Sequence, residues 1–215
     1  TGIGQADDGS FHVDAEGDGI IGIDSPSDLN NDEFLFVGRE ADLPASRSKD
    51  NKQAQKKSFS YSFSTNTSGN YRERINARWR VRKRNNLGTV RVRVKLDGID
   101  LSNMPNCSTL ELVVGNNRNL LSTTRYPLTH VGGNVYRATG VSFSDNDYFS
   151  VEYTDKIVLS GTQFFNGSGD SNRPNTSDDC YKLLVTSDAT GSLIQNEDAN
   201  VREIEVESGG HLVIG

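Results

Sequence analysis

The sequence predicts an all-β protein: an antiparallel Greek-key or immunoglobulin-like sandwich followed by a short C-terminal solenoid-like or sheet extension. Three observations favour this fold class. Only 33% of the 215 residues are hydrophobic. Apolar residues alternate with polar ones in many short segments, and Gly, Asn and Asp turns separate these segments at regular spacing. We divide the chain into an acidic, Gly/Asp-rich N-terminal segment (1–32), the sandwich (33–158) and a small β extension (159–215).

The net charge and the hydropathy pattern restrict the partners that we expect. The formal charge is -6 and the pI is near 5.1, so the chain as a whole repels nucleic acids and anionic membranes. No apolar run approaches the roughly 20 residues that cross a bilayer, so we expect no membrane insertion. The sequence begins at Thr1 rather than at a methionine, which predicts a processed mature form or a fragment.

Four acidic residues of the N-terminal segment, Asp14, Glu16, Asp18 and Asp24, lie close together in DAEGDGIIGID. Alternate acidic residues around glycines let a tight loop wrap oxygen ligands around a hard cation such as Ca²⁺. The pattern resembles the first half of an EF-hand or dockerin loop, but Ser25 occupies its twelfth position. A calcium site is therefore one interpretation, and a solvated acidic turn is the other.

The stretch EFLFVG (33–38) predicts a strand, and the polar residues after it predict a loop interrupted by Pro44. Phe59, Tyr61 and Phe63 then alternate with serines, with the period of two that is typical of a strand with one buried face.

The segment YRERINARWRVRKRNNLGTVRVRVKLDG carries the strongest alternation in the chain. In its first half the arginines occupy even-numbered positions, so they face one side of the predicted strand. They are Arg72, Arg74, Arg78, Arg80, Arg82 and Arg84. After NNLG, valines alternate with Arg91, Arg93 and Lys95. The pattern predicts a β-hairpin with one apolar face and one arginine face.

The arginine face is the candidate binding surface, and its residues are Arg78, Arg80, Arg82, Arg91 and Arg93. Guanidinium groups on every second residue could bind the sulfate, carboxylate or phosphate groups of a polymer bidentately. The alternative is that they pair with the excess carboxylates of the chain itself or of a neighbour. Trp79 shares the parity of Val81, which predicts a core position rather than a platform for sugars.

Further short strands with turns between them follow the hairpin, and the tail after residue 180 consists of strand-like pieces that resemble the rungs of a solenoid. The sequence contains two cysteines, Cys107 and Cys180. In an oxidising compartment they could pair across a long loop, worth about 4 kcal/mol in the chain-entropy model. Two unpaired thiols are the alternative.

The sequence contains no recognised catalytic motif. His12, His130 and His211 lie far apart without metal-ligand spacing, and the nucleophile elbow, the P-loop and the dinucleotide fingerprint are absent. We therefore predict no catalytic residues and no enzyme. A site assembled from distant strands would leave no such local signature.

Four motifs in order resemble a β-sandwich module of large secreted surface proteins of Bacteroidetes. They are Trp79-Arg80-Val81, Gly88-Thr89-Val90, Leu112-Val113-Val114, and Gly140-Val141-Ser142-Phe143 with Tyr148-Phe149. The resemblance covers roughly residues 33–158. It implies a β-sandwich, export by the type IX secretion system and an adhesin-like place on the cell surface or in extracellular filaments. The dense arginines depart from the family pattern.

Together these observations predict a non-catalytic structural or adhesion module that is secreted, assembles through strand edges and is stabilised by Ca²⁺. Its expected partners are copies of itself or neighbouring modules of the same protein. The alternative is a glycan- or polyanion-binding module of a larger secreted protein, with an acidic polysaccharide as its ligand.

Overall fold

The computed structural model describes residues 1–16, 19–40, 61–65, 72–106, 108–154, 156–159, 182–189, 192–193, 202–211 and 213–214. These residues form strands, turns and bends and no helix. The alternation of the sequence explains the strands, because successive side chains point to opposite faces. In Val90–Lys95, for example, three buried valines alternate with half-buried Arg91, Arg93 and Lys95.

In chain order the strands are β1 (Gly2–Gln5), β2 (Phe11–His12), β3 (Asp14–Glu16), β4 (Ile21–Asp24), β5 (Glu33–Arg39), β6 (Phe63–Thr65), β7 (Arg72–Ile75), β8 (Trp79–Arg84), β9 (Val90–Lys95), β10 (Glu111–Gly115), β11 (Thr124–Pro127), β12 (Thr129–Gly132), β13 (Val135–Val141), β14 (Tyr148–Thr154), β15 (Lys156–Leu159), β16 (Lys182–Val185), β17 (Ser192–Leu193), β18 (Glu203–Val206) and β19 (Val213–Ile214). None of the described residues belongs to a helix long and apolar enough to span a bilayer.

The chain divides into two compact units. The first comprises Thr1–Ser64, Arg74–Asp100 and Leu110–Glu152, and the second comprises Thr65–Glu73, Leu101–Thr109 and Tyr153–Gly215.

The first unit is a sandwich of two sheets whose described strand pairs are antiparallel. The larger sheet has nine strands in the order β11-β10-β14-β8-β5-β1-β2, with β7 paired to β14 and β6 to β7. The smaller sheet has the order β12-β13-β9-β4-β3. This confirms the predicted all-β sandwich.

The core lies between the two sheets and contains the inward-facing apolar side chains of most strands. Trp79 is 2% exposed and stacks on Phe149, with ring centroids 5.5 Å apart. The smaller sheet contributes buried side chains that include Ile21, Ile23 and Val92. The prediction that Trp79 is a core residue is therefore confirmed.

The two lateral sides of the sandwich are each formed by one stretch of chain that passes from one sheet to the other. On one side β2 of the larger sheet continues through Val13 into β3 of the smaller sheet. On the other side β11 continues through Leu128 into β12. Such sheet-switching strands make the corners of a sandwich and leave short edges.

The predicted arginine hairpin is wrong. Strand β8 pairs with β5 and β14 in the larger sheet, whereas β9 pairs with β4 and β13 in the smaller sheet. Residues 85–89 therefore form an arch that crosses between the sheets, with Leu87 buried at 1% exposure inside it. An arch satisfies the alternation because the apolar faces of β8 and β9 meet across the core, while their arginines point to opposite outer faces.

The structure also differs from the predicted division at residue 32. The N-terminal segment contributes β1 and β2 to the larger sheet and β3 and β4 to the smaller one. Several of its apolar residues are buried in the sandwich, among them Ile3, Ile21 and Ile23. The acidic segment is thus an integral part of the first unit.

The second unit contains parallel strands that repeat like the rungs of a solenoid. Strands β15, β16 and β18 pair in parallel, and β17 pairs in parallel with β19. The same offset of 21 residues relates Lys182 to Glu203 and Ser192 to Val213. The turns repeat as well, because Ala189 N–H donates to Thr186 and Gly210 N–H donates to Glu207. The described residues of the predicted solenoid-like or sheet extension thus form parallel strands.

We expect the arch to depend on the buried side chain of Leu87. Leu87→Ala should destabilise the protein by about 2–4 kcal/mol, because it leaves a cavity in the core. Leu121→Ala is the matched control, since Leu121 is 65% exposed and its truncation should cost less than about 0.5 kcal/mol. Urea unfolding followed by the fluorescence of Trp79, the only tryptophan, measures both. Equal unfolding midpoints for the two variants would contradict this account of the arch.

Candidate functional site: charged rows on the outer faces of the sandwich

The outer face of the smaller sheet brings together the carboxylates predicted to bind calcium and two of the arginines predicted to bind a polymer. In the register of β3, β4 and β9, Asp14 lies opposite Asp24, and Asp24 lies opposite Arg91. Gly22 lies between Glu16 and Arg93. Because Gly22 has no side chain, the guanidinium of Arg93 can extend across it, and a Cβ there would lie 3.4 Å from Arg93 Nε.

Asp24 is the buried centre of this row, with its side chain only 4% exposed. Arg91 Nε donates to Asp24 Oδ1, and Ser25 Oγ donates to the same oxygen over 2.7 Å. Arg93 Nε lies 2.7 Å from Oδ2, but its N–H does not point at that oxygen. The second contact is therefore a Coulombic ion pair rather than an aligned hydrogen bond. Two guanidinium groups together neutralise the buried carboxylate.

The ends of the row are more exposed. Arg93 also reaches Asp14 through Nη2, and Lys95 Nζ donates to both carboxylate oxygens of Glu16 over 2.9 and 3.0 Å. The hydrogen bond and the positive charge of Lys95 hold the pKa of Glu16 below its ordinary value.

Of the four residues predicted to bind calcium, Asp14, Glu16 and Asp24 thus face side-chain cations, and Asp18 lies outside the described residues. In the part of the chain that the structure describes, no group of three or more His, Cys, Asp or Glu side chains is arranged to hold a metal. Calcium binding stays a prediction. An ion bound to these carboxylates would have to compete with Arg93 and Lys95.

The other predicted arginines lie on the outer face of the larger sheet. Arg80 Nη2 and Arg82 Nη1 both donate to Asn146 Oδ1, over 2.7 and 2.8 Å. Asp145 accepts a hydrogen bond from the backbone N–H of Lys83 and lies 3.4 Å from Arg82 Nε. This backbone hydrogen bond, followed by the charge of Arg82, lowers the pKa of Asp145.

Arg78 belongs to a small cluster at the end of β5. Its Nε donates to Glu40 Oε2 over 2.7 Å, and Arg118 Nε donates to the same oxygen over 3.1 Å. Burial alone would raise the pKa of Glu40, but the hydrogen bonds and charges of the two arginines outweigh it and lower that pKa. The five predicted arginines therefore occupy two opposite faces and do not form one binding surface.

A buried carboxylate that was not predicted from the sequence lies in the larger sheet, on the side that faces away from the core. Glu152 in β14 is fully buried, and Arg74 Nε and Arg125 Nη1 both donate to it, the latter over 3.1 Å. Arg125 also binds Glu111 over 3.0 Å. The available signal was a glutamate in YFSVEYT, a strand whose other residues are uncharged, because a charge buried in such a strand needs a partner.

The remaining predicted positions are separated or outside the described residues. His12 and His130 lie in β2 and β12, on opposite sides of the sandwich, and His211 lies in the second unit. His130 Nε2 lies 2.6 Å from the carbonyl oxygen of Gly133. Cys107 and Cys180 are outside the described residues, so their disulfide stays a prediction.

A comparison of the chain with protein-family models, with curated proteins and with solved structures found no match. The resemblance to secreted surface modules of Bacteroidetes therefore stays a prediction that rests on the quoted motifs alone.

Asp24 and Asp14 both pair with Arg93, and we expect the buried Asp24 to contribute more to the free energy of unfolding than the exposed Asp14. Asp24→Ala should destabilise the protein by about 3 kcal/mol, because it leaves two partly buried guanidinium groups without their carboxylate. Asp14→Ala should cost less than about 1 kcal/mol, because Asp14 is 61% exposed and its ion pair is solvated. Urea unfolding of both variants measures the difference. If the two losses were equal, Asp24 would not be the centre of the row.

The pKa of Glu16 should rise toward its ordinary value in Lys95→Met, and carbon-13 NMR titration of the Glu16 carboxyl measures it. Because the pKa is lowered in the folded state, the ion pair stabilises the fold above the unfolded-state pKa. That contribution is lost as the pH falls through the folded-state pKa. Lys83→Met is the control, since Lys83 Nζ donates to Asn86 and Phe143. An unchanged Glu16 pKa in Lys95→Met would refute the assignment to Lys95.

Proposed function

We propose that this chain is a non-catalytic structural or adhesion module of an extracellular or cell-surface assembly. It would join copies of itself, or neighbouring modules of the same protein, through an exposed strand of the solenoid-like unit. One observation carries this proposal: apolar side chains that are buried in β16 have exposed counterparts at the same register in β18.

The difference between the two rungs is large. Leu183 and Val185 in β16 are 2% and 0% exposed. Their register partners in β18, Ile204 and Val206, are 44% and 48% exposed. In a solenoid each rung is covered by its neighbours. A further strand that added beside β18 would therefore bury Ile204 and Val206.

The charged rows of the sandwich support a structural role. In the described residues, the carboxylates with the lowest exposure, Asp24 and Glu152, are each bound by two arginines of the same chain. Such pairs fix the register of strands distant in sequence. They do not leave a carboxylate poised for proton transfer, which would need access to a substrate.

We expect the purified chain to form higher-order species in size-exclusion chromatography with light scattering. Ile204→Lys should abolish them, because it places a charge on the edge that would be covered. Val13→Lys is the matched control, since Val13 is 39% exposed and lies at a side of the sandwich. Running each protein with Ca²⁺ and then with a chelator tests the predicted calcium dependence.

Each outcome decides a separate point. A wild-type monomer under both conditions would reject self-assembly of this chain. Loss of assembly in Val13→Lys but not in Ile204→Lys would move the interface from β18 to the sandwich. Loss on chelation alone would support a calcium site among Asp14, Glu16, Asp18 and Asp24.

A further inference from the structure

Two phenylalanine rings lie side by side on the outer face of the larger sheet. Phe34 and Phe36 are on the same side of β5, with ring centroids 6.0 Å apart and ring planes within 9° of parallel. Phe36 is 54% exposed. The two adjacent rings form a continuous apolar patch on the outer face of the sheet, and exposed contiguous patches rather than single exposed residues are the ones that mark candidate interaction sites.

The neighbouring strand is built to support these rings. Phe36 and Phe34 lie opposite Gly2 and Gly4 of β1. A Cβ on Gly2 would lie 2.5 Å from Phe36 Cδ1, and a Cβ on Gly4 would lie 2.3 Å from Phe34 Cδ1. Glycine is therefore required at both positions, because the rings occupy the space above β1. The result is a two-ring aromatic platform, which we define as Phe34 and Phe36.

A row of three arginines runs beside the platform on the next strand. In the register of β5 and β8, Phe34 lies opposite Arg84, Phe36 opposite Arg82, and Gly38 opposite Arg80. The Arg84 and Arg82 side chains are 64% and 63% exposed. Each phenylalanine of the platform thus has an arginine opposite it on the neighbouring strand.

The positive charge of this row is only partly neutralised. Arg84 pairs with Asp32, and Arg82 lies near Asp145. Arg80 Nη2 donates to the amide oxygen of Asn146, and its Cζ lies 5.7 Å from the ring centroid of Tyr148. The charge of Arg80 also acts on Asp145, the carboxylate beside Arg82. Within the described residues, three arginines therefore share two carboxylates.

A notch at Gly38 separates the platform from Arg80. A Cβ placed on Gly38 would meet no atom of the described residues within 4 Å. Among these residues the space above Gly38 is therefore open, with Phe36 before it on β5 and Arg80 opposite it on β8. A carboxylate that projects from a ligand lying on the platform can enter this notch and reach the guanidinium of Arg80.

We propose that this aromatic–arginine face binds a polysaccharide that contains uronic acids. The axial C–H groups of a pyranose ring carry partial positive charge and stack on the negative faces of aromatic rings. A uronate carboxylate is planar and matches the two parallel N–H donors of a guanidinium. Successive sugars would stack on Phe34 and Phe36, and their carboxylates would bind Arg82 and Arg80. This site is independent of the proposed assembly at β18.

The charge pattern favours an acidic glycan over single-stranded nucleic acid. A nucleic acid also stacks on aromatic rings, but it carries a phosphate on every nucleotide and depends on a strongly basic groove. Here Asp32 and Asp145 lie within the arginine row, and the whole chain carries a net charge of -6. A ligand of lower charge density, with its carboxylates on one side of a sugar chain, fits the row better.

The test is binding of the full chain to defined polymers by isothermal titration calorimetry at low salt. Alginate and polygalacturonate supply uronates, dextran sulfate supplies sulfates, dextran is neutral, and oligo-thymidine is a single-stranded nucleic acid. We expect binding to the uronate polymers that weakens as salt is added, because the guanidinium–carboxylate contacts are exposed. We expect no binding to dextran.

Three variants test the parts of the face. Phe36→Ala should weaken binding about tenfold, a loss typical of a central aromatic contact, and Arg80→Gln should weaken it similarly. Gly38→Leu should also weaken binding, because its side chain would occupy the notch. The matched controls are Phe11→Ala, with Phe11 68% exposed away from the platform, and Arg137→Gln, on the smaller sheet opposite Arg93. Both controls should bind like the wild type.

Binding that is lost equally in the controls, or unaffected by Phe36→Ala and Arg80→Gln, would overturn the assignment to this face. Tighter binding to oligo-thymidine or to dextran sulfate than to both uronate polymers would overturn the ligand class. An absence of binding to every polymer would overturn the proposal itself. Trp79 fluorescence of each variant shows whether the sandwich has remained folded.

Discussion

The apolar layer between the two sheets is the constraint on which the sandwich depends. Most strands of the sandwich bury one side of their alternating residues in that layer, so the other side points outward. Because the arch at Leu87 sends β8 and β9 to opposite sheets, Val81 and Val92 are both buried, each in its own sheet. The arginines between the buried residues are then separated onto two outer faces. The separation of Arg80 and Arg82 from Arg91 and Arg93 follows from this single crossing.

The alternation of the sequence was enough to locate most strands, but it could not decide which strands pair. A hairpin and an arch have the same pattern of apolar and polar residues, and they differ only in whether the apolar faces lie side by side or meet across a core. The signal that could have separated them is Leu87. A tight hairpin turn would expose a leucine there, whereas the arch buries it. For the extension, the sequence predicted strand-like pieces of a solenoid or of a small sheet, but it did not specify their parallel pairing.

The candidate site was less predictable because its contacts join residues far apart in the chain. Asp24 and Arg91 are separated by 67 residues, and Asp14 and Arg93 by 79. Acidic residues alternating with glycines suggested a cation-binding loop. The same spacing also suits a β-hairpin whose carboxylates face arginines on the next strand, with Gly22 leaving room for Arg93. The platform of Phe34 and Phe36 could not be predicted for a related reason. The role of Gly2 and Gly4 becomes visible only when β1 is known to pair with β5.

The two units differ in how their edge strands are protected from pairing with another chain. This difference is the reason for placing the proposed assembly at β18. The sandwich forms each lateral side from a stretch that switches sheets, and at one side the edge is further interrupted by Pro127 and by the bulge between His130 and Gly132. These features disfavour pairing with another strand. In the described part of the solenoid-like unit, β18 contains neither a proline nor a bulge, and all four of its residues are exposed. Since a rung is stabilised by its neighbours rather than by its own interior, the apolar residues of β18 are better explained as a stacking surface than as incidental exposure.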